Sequence, residues 1–328
     1  MGRYLNSNAD GFGKIVNSEI YVDKTGMLSY TNQVLNTMQG YLCVSRPRRF
    51  GKSTAANMLT AYYSCGCDSK ALFSGFKIAK DKDFEKYLNH YNTISLNMQE
   101  FLSRSRDVYD LLERMKKLVL RDMKREYPDV DYFDENDLIE AMQDVYEETR
   151  RPFVVIIDEW DCIFHKNFVT EEDRQNYISF LSNLLKDHAY VSLSYMTGIL
   201  PIAKYSSGSE LNMFIEYTMA SEEKFSEDFG FTESETDMLY RRYLEICRNE
   251  GKTPYVTREG LETWYDGYYA KNGERMYNPR SVVASLTNNN LDSYWTSSGP
   301  YDEIFYYVKN NVAEVRNDLA VMISGEGV

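Results

Sequence analysis

An apolar run over Tyr41–Ser45 leads straight into Arg46-Pro47-Arg48-Arg49-Phe50-Gly51-Lys52-Ser53-Thr54, and a helical pattern follows over Ser53–Tyr63. Strand, tight loop, Gly-Lys-Ser and helix in that order describe a P-loop, a Walker A element, which needs a buried strand to deliver a helix N-terminus to a polyanion. Gly51 lets the backbone come close to phosphate, so that the amides at the helix start can point at it. Lys52 reaches the β- and γ-phosphates, and the Ser53 hydroxyl joins the Mg²⁺ shell. The loop from Arg46 to Thr54 is therefore the expected phosphate cradle, with Arg46, Arg48 and Arg49 adding positive charge. The full motif, G-x-x-x-x-G-K-[ST], would place glycine where this chain has Arg46.

A second element supplies the carboxylates. Phe153-Val154-Val155-Ile156-Ile157 is a continuous apolar run, as expected of a parallel strand buried on both faces, and it ends in Asp158-Glu159. Acidic residues also end strands for solubility alone, but following a P-loop the pair has a chemical reading. Asp158 is placed to hold Mg²⁺ and Glu159 to polarise the attacking water as general base. A carboxylate beside the metal aspartate points to NTP hydrolysis rather than to a small-molecule kinase. The Asn-Lys-x-Asp element that reads guanine is absent, so ATP is the expected nucleotide. One further strand, Thr93–Met98, lies between the two motif strands.

The remaining runs complete an α/β domain: strands over Tyr190–Met196 and Phe214–Met219, and helices over Asp107–Glu126, Leu138–Thr149 and Glu171–Asp187. Past residue 220 the texture changes. Thr232-Glu233-Ser234-Glu235 is a capping box opening a helix through about Arg248, and Asn278-Pro279 is an N-cap with Pro at the first helical position. The rest is rich in Tyr, Asn and Gly, with no clear strand series. This divides the 328 residues into a core over 1–220 and a mostly helical, tyrosine-rich lid over 221–328. The net charge of −13 argues against coating nucleic acid by bulk charge, and no apolar run is long enough to span a membrane. The five cysteines form no disulfide framework, and Cys65-x-Cys67 has no second pair to complete a zinc site. A cytoplasmic protein is expected.

Taken together, the segments resemble the "predicted AAA-ATPase" or AAA-ATPase-like domain family. The resemblance is carried by Tyr21-Val22-Asp23-Lys24-Thr25, by Arg46-Pro47-Arg48-Arg49-Phe50-Gly51-Lys52-Ser53, and by the Walker B segment Ile157-Asp158-Glu159-Trp160-Asp161. Thr197-Gly198-Ile199-Leu200-Pro201, Trp264-Tyr265-Asp266-Gly267-Tyr268 and Tyr277-Asn278-Pro279 add to it. In that light the arginine at position 46 is a family trait. The resemblance implies an AAA-like sheet of order 5-1-4-3-2 followed by a helical lid. It also implies that Thr197 or Asn212 senses the γ-phosphate. Many members carry a C-terminal PD-(D/E)XK-type nuclease domain; no nuclease constellation is found in the residues up to Val328, so the sequence is expected to be either a fragment of a longer protein or a short member.

Several features stay open between a ligand and a packing role. Arg114, Lys117, Arg121, Lys124 and Arg125 share one side of a helix, as a nucleic-acid strip or as a solvated back face. Tyr62-Tyr63, Tyr265 to Tyr269 and Tyr294-Trp295 either stack a base or pack a core. Phe12 to Lys24 is the expected wall for adenine, and Arg280 is either a lid residue near the phosphates or a surface arginine. Two functions are compatible with these residues. One is an ATPase using Lys52, Ser53, Asp158 and Glu159. The other is a nucleotide-dependent switch with little turnover that acts on a protein partner, on nucleic acid or as a homo-oligomer.

Overall fold

The computed structural model describes residues 2–166, 168–205, 208–219, 224–270 and 272–294. Five parallel strands form the central sheet: β1 (Tyr41–Ser45), β2 (Asn92–Asn97), β3 (Phe153–Asp158), β4 (Val191–Gly198) and β5 (Ile215–Tyr217). Their spatial order is β2-β3-β4-β1-β5, which from the other edge reads 5-1-4-3-2. All six residues of β3 are buried, as its unbroken apolar run requires at the centre of a two-faced sheet. Both faces are covered. Lys52–Tyr63 packs one face, with Met58, Leu59, Tyr62 and Tyr63 buried among Val154, Ile156 and Leu193. The other face is covered by Val108–Glu126, Leu138–Thr149 and Glu171–Leu185. The first of these buries Val108, Leu111, Leu112, Met115, Val119 and Met123, the apolar stripe of its sequence.

Helix boundaries follow local chemistry. Asp107 caps Val108–Glu126 by accepting from the Asp110 amide, and Thr170 closes a capping box with Asp173 ahead of Glu171–Leu185. Beyond the sheet, Thr232 and Glu235 form the expected box and open Glu233–Glu250; Asn278 caps Pro279–Asn288, with Pro at its start. The region shows no clear strand series in sequence, yet it contains short strands. Here β6 (Phe231–Thr232), β7 (Tyr268–Tyr269) and β8 (Arg275–Tyr277) form a three-stranded antiparallel sheet ordered β6-β8-β7. Strands of two or three residues are too short to show a period-two pattern.

The C-terminal unit does not have a core to itself. Ile20 and Val22, from the segment ahead of β1, are buried against Phe231, Leu239, Tyr243 and Val282. Lys24 ties the same segment to Glu235 at 2.6 Å. Among the described residues, no helix is long and apolar enough to cross a membrane.

Candidate nucleotide site

In a parallel sheet all strands end on one edge, and the order of strands decides which tips become neighbours. Register places Asn97 of β2 opposite Asp158 of β3, and Thr197 of β4 lies one step beyond the pair Ile157–Met196. The Asp158 carboxylate is accordingly held from both sides. Thr197 Oγ1 donates to Oδ1 at 2.5 Å and Asn97 Nδ2 to Oδ2 at 3.1 Å. Beyond β4 lies β1, whose loop returns Ser53 so that its Oγ donates to Asp158 Oδ2 at 2.6 Å. The two motifs read from the sequence thus meet.

Gly51 is the N-cap of Lys52–Tyr63 with φ 91°, a left-handed conformation that glycine adopts without Cβ strain. Arg49 and Glu159 also have positive φ, 69° and 54°. For a residue other than glycine this is uncommon, and it clusters at functional turns. Lys52 is buried, and its Nζ donates to the carbonyls of Arg46 and Pro47 at 2.9 and 3.0 Å. Burial lowers its pKa, opposed by Asp161, Asp158 and Glu159. Burial raises the Glu159 carboxyl, and the neighbouring Asp158 charge adds to that; Lys52 and Arg48 oppose it. The Glu159 amide is anchored on Thr197 Oγ1 at 3.3 Å.

These groups open onto a cavity of about 840 Å³, within the size range of ligand sites. One part is polar, with Arg48, Lys52, Ser53, Glu159 and Asp161; another is apolar, with Ile15, Ile20, Val22, Met27, Met58 and Val283. The segment Phe12 to Lys24 supplies much of the apolar wall, and Arg280 also lines the space. The charges of Arg280 and Arg48 add to burial in lowering the Arg49 pKa, so three guanidinium groups crowd the same region.

The structure separates the other expected site residues. Arg46 is 1% exposed, and its guanidinium turns away from the cavity to the carbonyls of Ser45 (2.9 Å), Tyr217 (2.7 Å) and Phe225 (3.2 Å). It lies 5.4 Å from the Phe229 ring centroid, and burial lowers its pKa to about 10. Pro47 contributes its carbonyl to Lys52. Phe50 is fully buried, edge-on to Tyr268 at 4.7 Å and packed with Ala270 and Met276. Its carbonyl accepts from the Gly230 amide at 3.2 Å, while Arg49 bonds the Tyr294 carbonyl. Thr54 lines the cavity beside Ser53.

Thr197 is fully buried and meets Asp158 and Glu159 rather than the cavity. Asn212 is a correction. It is exposed, three residues ahead of β5, with Oδ1 accepting from Lys186 at 3.0 Å. Because β5 runs parallel to β1, its start lies at the sheet edge opposite the phosphate loop. Asn212 is therefore not a sensor of the ligand.

Sequence reasoning missed Asn97 and Asp161. The latter is buried, with Oδ2 accepting from the amides of Ile199 and Leu200 at 2.8 and 3.2 Å, and it fixes the loop after β4. Its place three residues beyond Asp158 was the available signal. Tyr62 and Tyr63 are core residues, bonded to the Phe84 carbonyl and to Asn32 at 2.9 and 2.8 Å. Trp295 lies outside the described residues. The basic helix residues Arg114, Lys117, Arg121 and Arg125 are exposed; Arg121 contacts Asp122 and Lys124 contacts Glu135. Cys65 and Cys67 are free thiols, and no cluster of three or more metal-ligating side chains occurs among the described residues. That does not exclude Mg²⁺, which needs only one or two protein oxygens beside phosphate and water. The Ser53 hydroxyl and Asp158 carboxylate, 2.6 Å apart, fit that requirement.

A family model described as "Predicted AAA-ATPase" matches residues 9–207. No curated protein matches the sequence. Among solved structures, the chain is similar to the Aeropyrum pernix ORC2 protein in ADPNP-ADP complexes, at 10% identity and TM-score 0.37, covering 82% of this chain and 63% of that one. It is also similar to the Aeropyrum pernix ORC1 protein in complex with DNA, at 11% identity and TM-score 0.42, covering 96% and 66%. It thus spans less than two thirds of the length of either solved chain.

Proposed function

Since the chain belongs to the predicted AAA-ATPase family, and is a nucleotide-binding protein of that type, we propose that it binds ATP with Mg²⁺ and hydrolyses it to ADP and phosphate. The observation that carries this reading is the meeting of Lys52, Ser53 and Glu159 at one cavity, with the Asp158 carboxylate accepting from Ser53 just behind its wall. Lys52 neutralises the β- and γ-phosphates, and the amides from Gly51 to Thr54 point at them. Ser53 and Asp158 would hold the metal ion, which when bound offsets charge on the transferring phosphoryl group. Asn97 and Thr197 fix the Asp158 carboxylate, so it needs little reorganisation when the ligand arrives. Glu159, its pKa raised by burial, is a stronger base than an exposed glutamate and takes the proton of the attacking water. Arg48, Arg49 and Arg280 supply further positive charge, with Arg280 approaching from the C-terminal unit.

Calorimetric binding and phosphate release test the proposal. Lys52→Ala should abolish ATP binding, and Glu159→Gln should retain binding and lose hydrolysis. Turnover unaffected by Glu159→Gln would remove that residue from the mechanism.

A second reading, a nucleotide-dependent switch with little turnover, is favoured by a different observation. The loop bonds the C-terminal unit at Phe50–Gly230, Arg49–Tyr294 and Asn278–Arg48, so movement of the loop is passed outward. ATP binding without phosphate release, accompanied by altered protease protection of residues 224–294, would select it.

A further inference from the structure

Glu159 is held in an uncommon backbone conformation, and the chemistry assigned to it depends on where that conformation aims its side chain. Its φ of 54° and ψ of 42° lie in the left-handed region, which a residue with a Cβ keeps only where its surroundings impose it. The short 3₁₀ turn Trp160–His165 follows at once, and the Cys162 amide donates to the Glu159 carbonyl at 3.1 Å. Whatever fixes this turn therefore fixes Glu159.

The end of β4 and the chain beyond it meet the end of β3 and this turn residue against residue. Thr197 Oγ1 donates to Asp158 and accepts from the Glu159 amide. Gly198 packs directly against the next two residues: a Cβ built on it would stand 2.7 Å from Trp160 Nε1 and 2.9 Å from Asp161 Cγ. The Ile199 and Leu200 amides then donate to Asp161 Oδ2, at 2.8 and 3.2 Å. Trp160 is fully buried and its carbonyl accepts from the Tyr177 hydroxyl at 2.8 Å, so the helix Glu171–Leu185 backs the turn from behind. Further along, Glu216 of β5 accepts from the Ala203 amide at 3.2 Å, which anchors to the sheet the segment that Asp161 grips.

We propose that Asp161 is a positioning residue for hydrolysis: by holding the Ile199 and Leu200 amides it locks the turn after β3, and with it the direction in which Glu159 presents its carboxylate to the attacking water. The role depends on Glu159 acting as the base, as proposed above, and adds the contact that aims it. Misplacing a reacting group by about 1 Å costs about 100-fold in rate. The phosphate contacts of Lys52 and of the amides from Gly51 to Thr54 lie on the loop after β1 and do not pass through this turn, so loss of the clamp should lower kcat and spare binding. Burial lowers the Lys52 pKa and Asp161 is the first charge to oppose it, so the charge of Asp161 and its geometry must be separated. Asparagine separates them, because its carbonyl oxygen can accept from both amides while it carries no charge.

Three measurements on the full chain test this: kcat from phosphate release at saturating ATP and Mg²⁺, Kd from calorimetry with a non-hydrolysable ATP analogue, and amide hydrogen exchange without nucleotide. Asp161→Ala should lower kcat by about 10–100-fold, leave Kd within about threefold of wild type, and expose the Ile199 and Leu200 amides to exchange. Asp161→Asn should recover most of the lost turnover and the protection of both amides. Gly198→Ala, which drives a Cβ into Trp160 and Asp161, should lower kcat to a similar degree and spare Kd. Wild-type kcat in Asp161→Ala, an Asp161→Asn protein as slow as Asp161→Ala, or a Kd that weakens in step with kcat would each overturn the assignment. Any of these beside wild-type turnover that Glu159→Gln abolishes defeats only the role of Asp161, whereas no ATP turnover by wild type overturns that role and the ATPase reading together. Should Asp161→Ala fail to fold, the other two variants decide: wild-type kcat in Gly198→Ala, or slowing of Asp161→Asn by about tenfold or more with its amides still protected, overturns the assignment.

Discussion

Arg46 occupies the position where the full P-loop motif has glycine, and substituting that glycine should damage this protein. The guanidinium donates to three carbonyls, those of Ser45, Tyr217 and Phe225. At about 1.5–3 kcal/mol for each hydrogen bond from a charged donor, the three stabilise the fold by about 5–9 kcal/mol. Against this stands the desolvation that lowers the Arg46 pKa from 12.5 to about 10, a cost of about 3 kcal/mol. Arg46→Gly removes both terms and leaves a deficit of about 2–6 kcal/mol. Lost packing on Phe229 and the backbone freedom of glycine together add about 1–2 kcal/mol. A net loss of about 3–8 kcal/mol is a large part of the stability of an ordinary domain. Urea unfolding followed by circular dichroism measures it. Arg46→Lys, which keeps the charge but not the three-way reach, should fall between wild type and Arg46→Gly. An Arg46→Gly protein within about 1 kcal/mol of wild type would refute the reasoning, because it would mean that the three carbonyls find other donors at little cost.

Three further outcomes are expected. Thr197→Val keeps volume but removes the hydroxyl shared by Asp158 and Glu159, so it should cost about 2–4 kcal/mol in urea unfolding; Thr197→Ser keeps that hydroxyl and should cost less, and the reverse order would show the hydroxyl to be unimportant. Phe50→Ala empties a fully buried site and should cost about 3–5 kcal/mol, with faster proteolysis in the C-terminal unit; loss below about 1 kcal/mol would mean that the contact with Tyr268 and Met276 is not held in solution. The Asp228 pKa is raised from 3.8 to about 6, so its contribution is fully favourable below pH 4 and is lost as pH rises through about 6. Acidification from pH 7 to 4 should therefore stabilise wild type relative to Asp228→Asn by about 1–3 kcal/mol, and a constant difference between them would count against the buried setting, which faces Lys24, Glu227, Lys77 and Glu235.

Much of the core could be read because its signals are local and strong. β1 occupies Tyr41–Ser45, the helix Leu138–Thr149 matches its apolar period, and the side-chain caps at Thr232 and Asn278 open helices as their chemistry requires. The pairing of Ser53 with Asp158 was also legible, because two motifs in fixed order imply one site. What could not be read depends on partners distant in sequence. Arg46 looked like positive charge for a ligand, since nothing nearby reveals that Tyr217 and Phe225 present carbonyls to it. Asn212 looked close to the fourth strand in sequence, but a parallel crossover carries it to the opposite edge of the sheet. Asn97 acquires its role only through register with β3.

The contacts of Arg46 and Phe50 bear on how far this chain can be divided. Residue 220 looks like a natural seam, yet Arg46 holds a carbonyl on each side of it, at Tyr217 and Phe225, and Phe50 sits among residues from the far side. A fragment ending at the seam would carry an exposed aromatic ring and a half-anchored buried cation at its ligand loop. The two units are therefore not interchangeable modules: a C-terminal unit exchanged between relatives must bring its own socket for Phe50 and its own acceptor for Arg46.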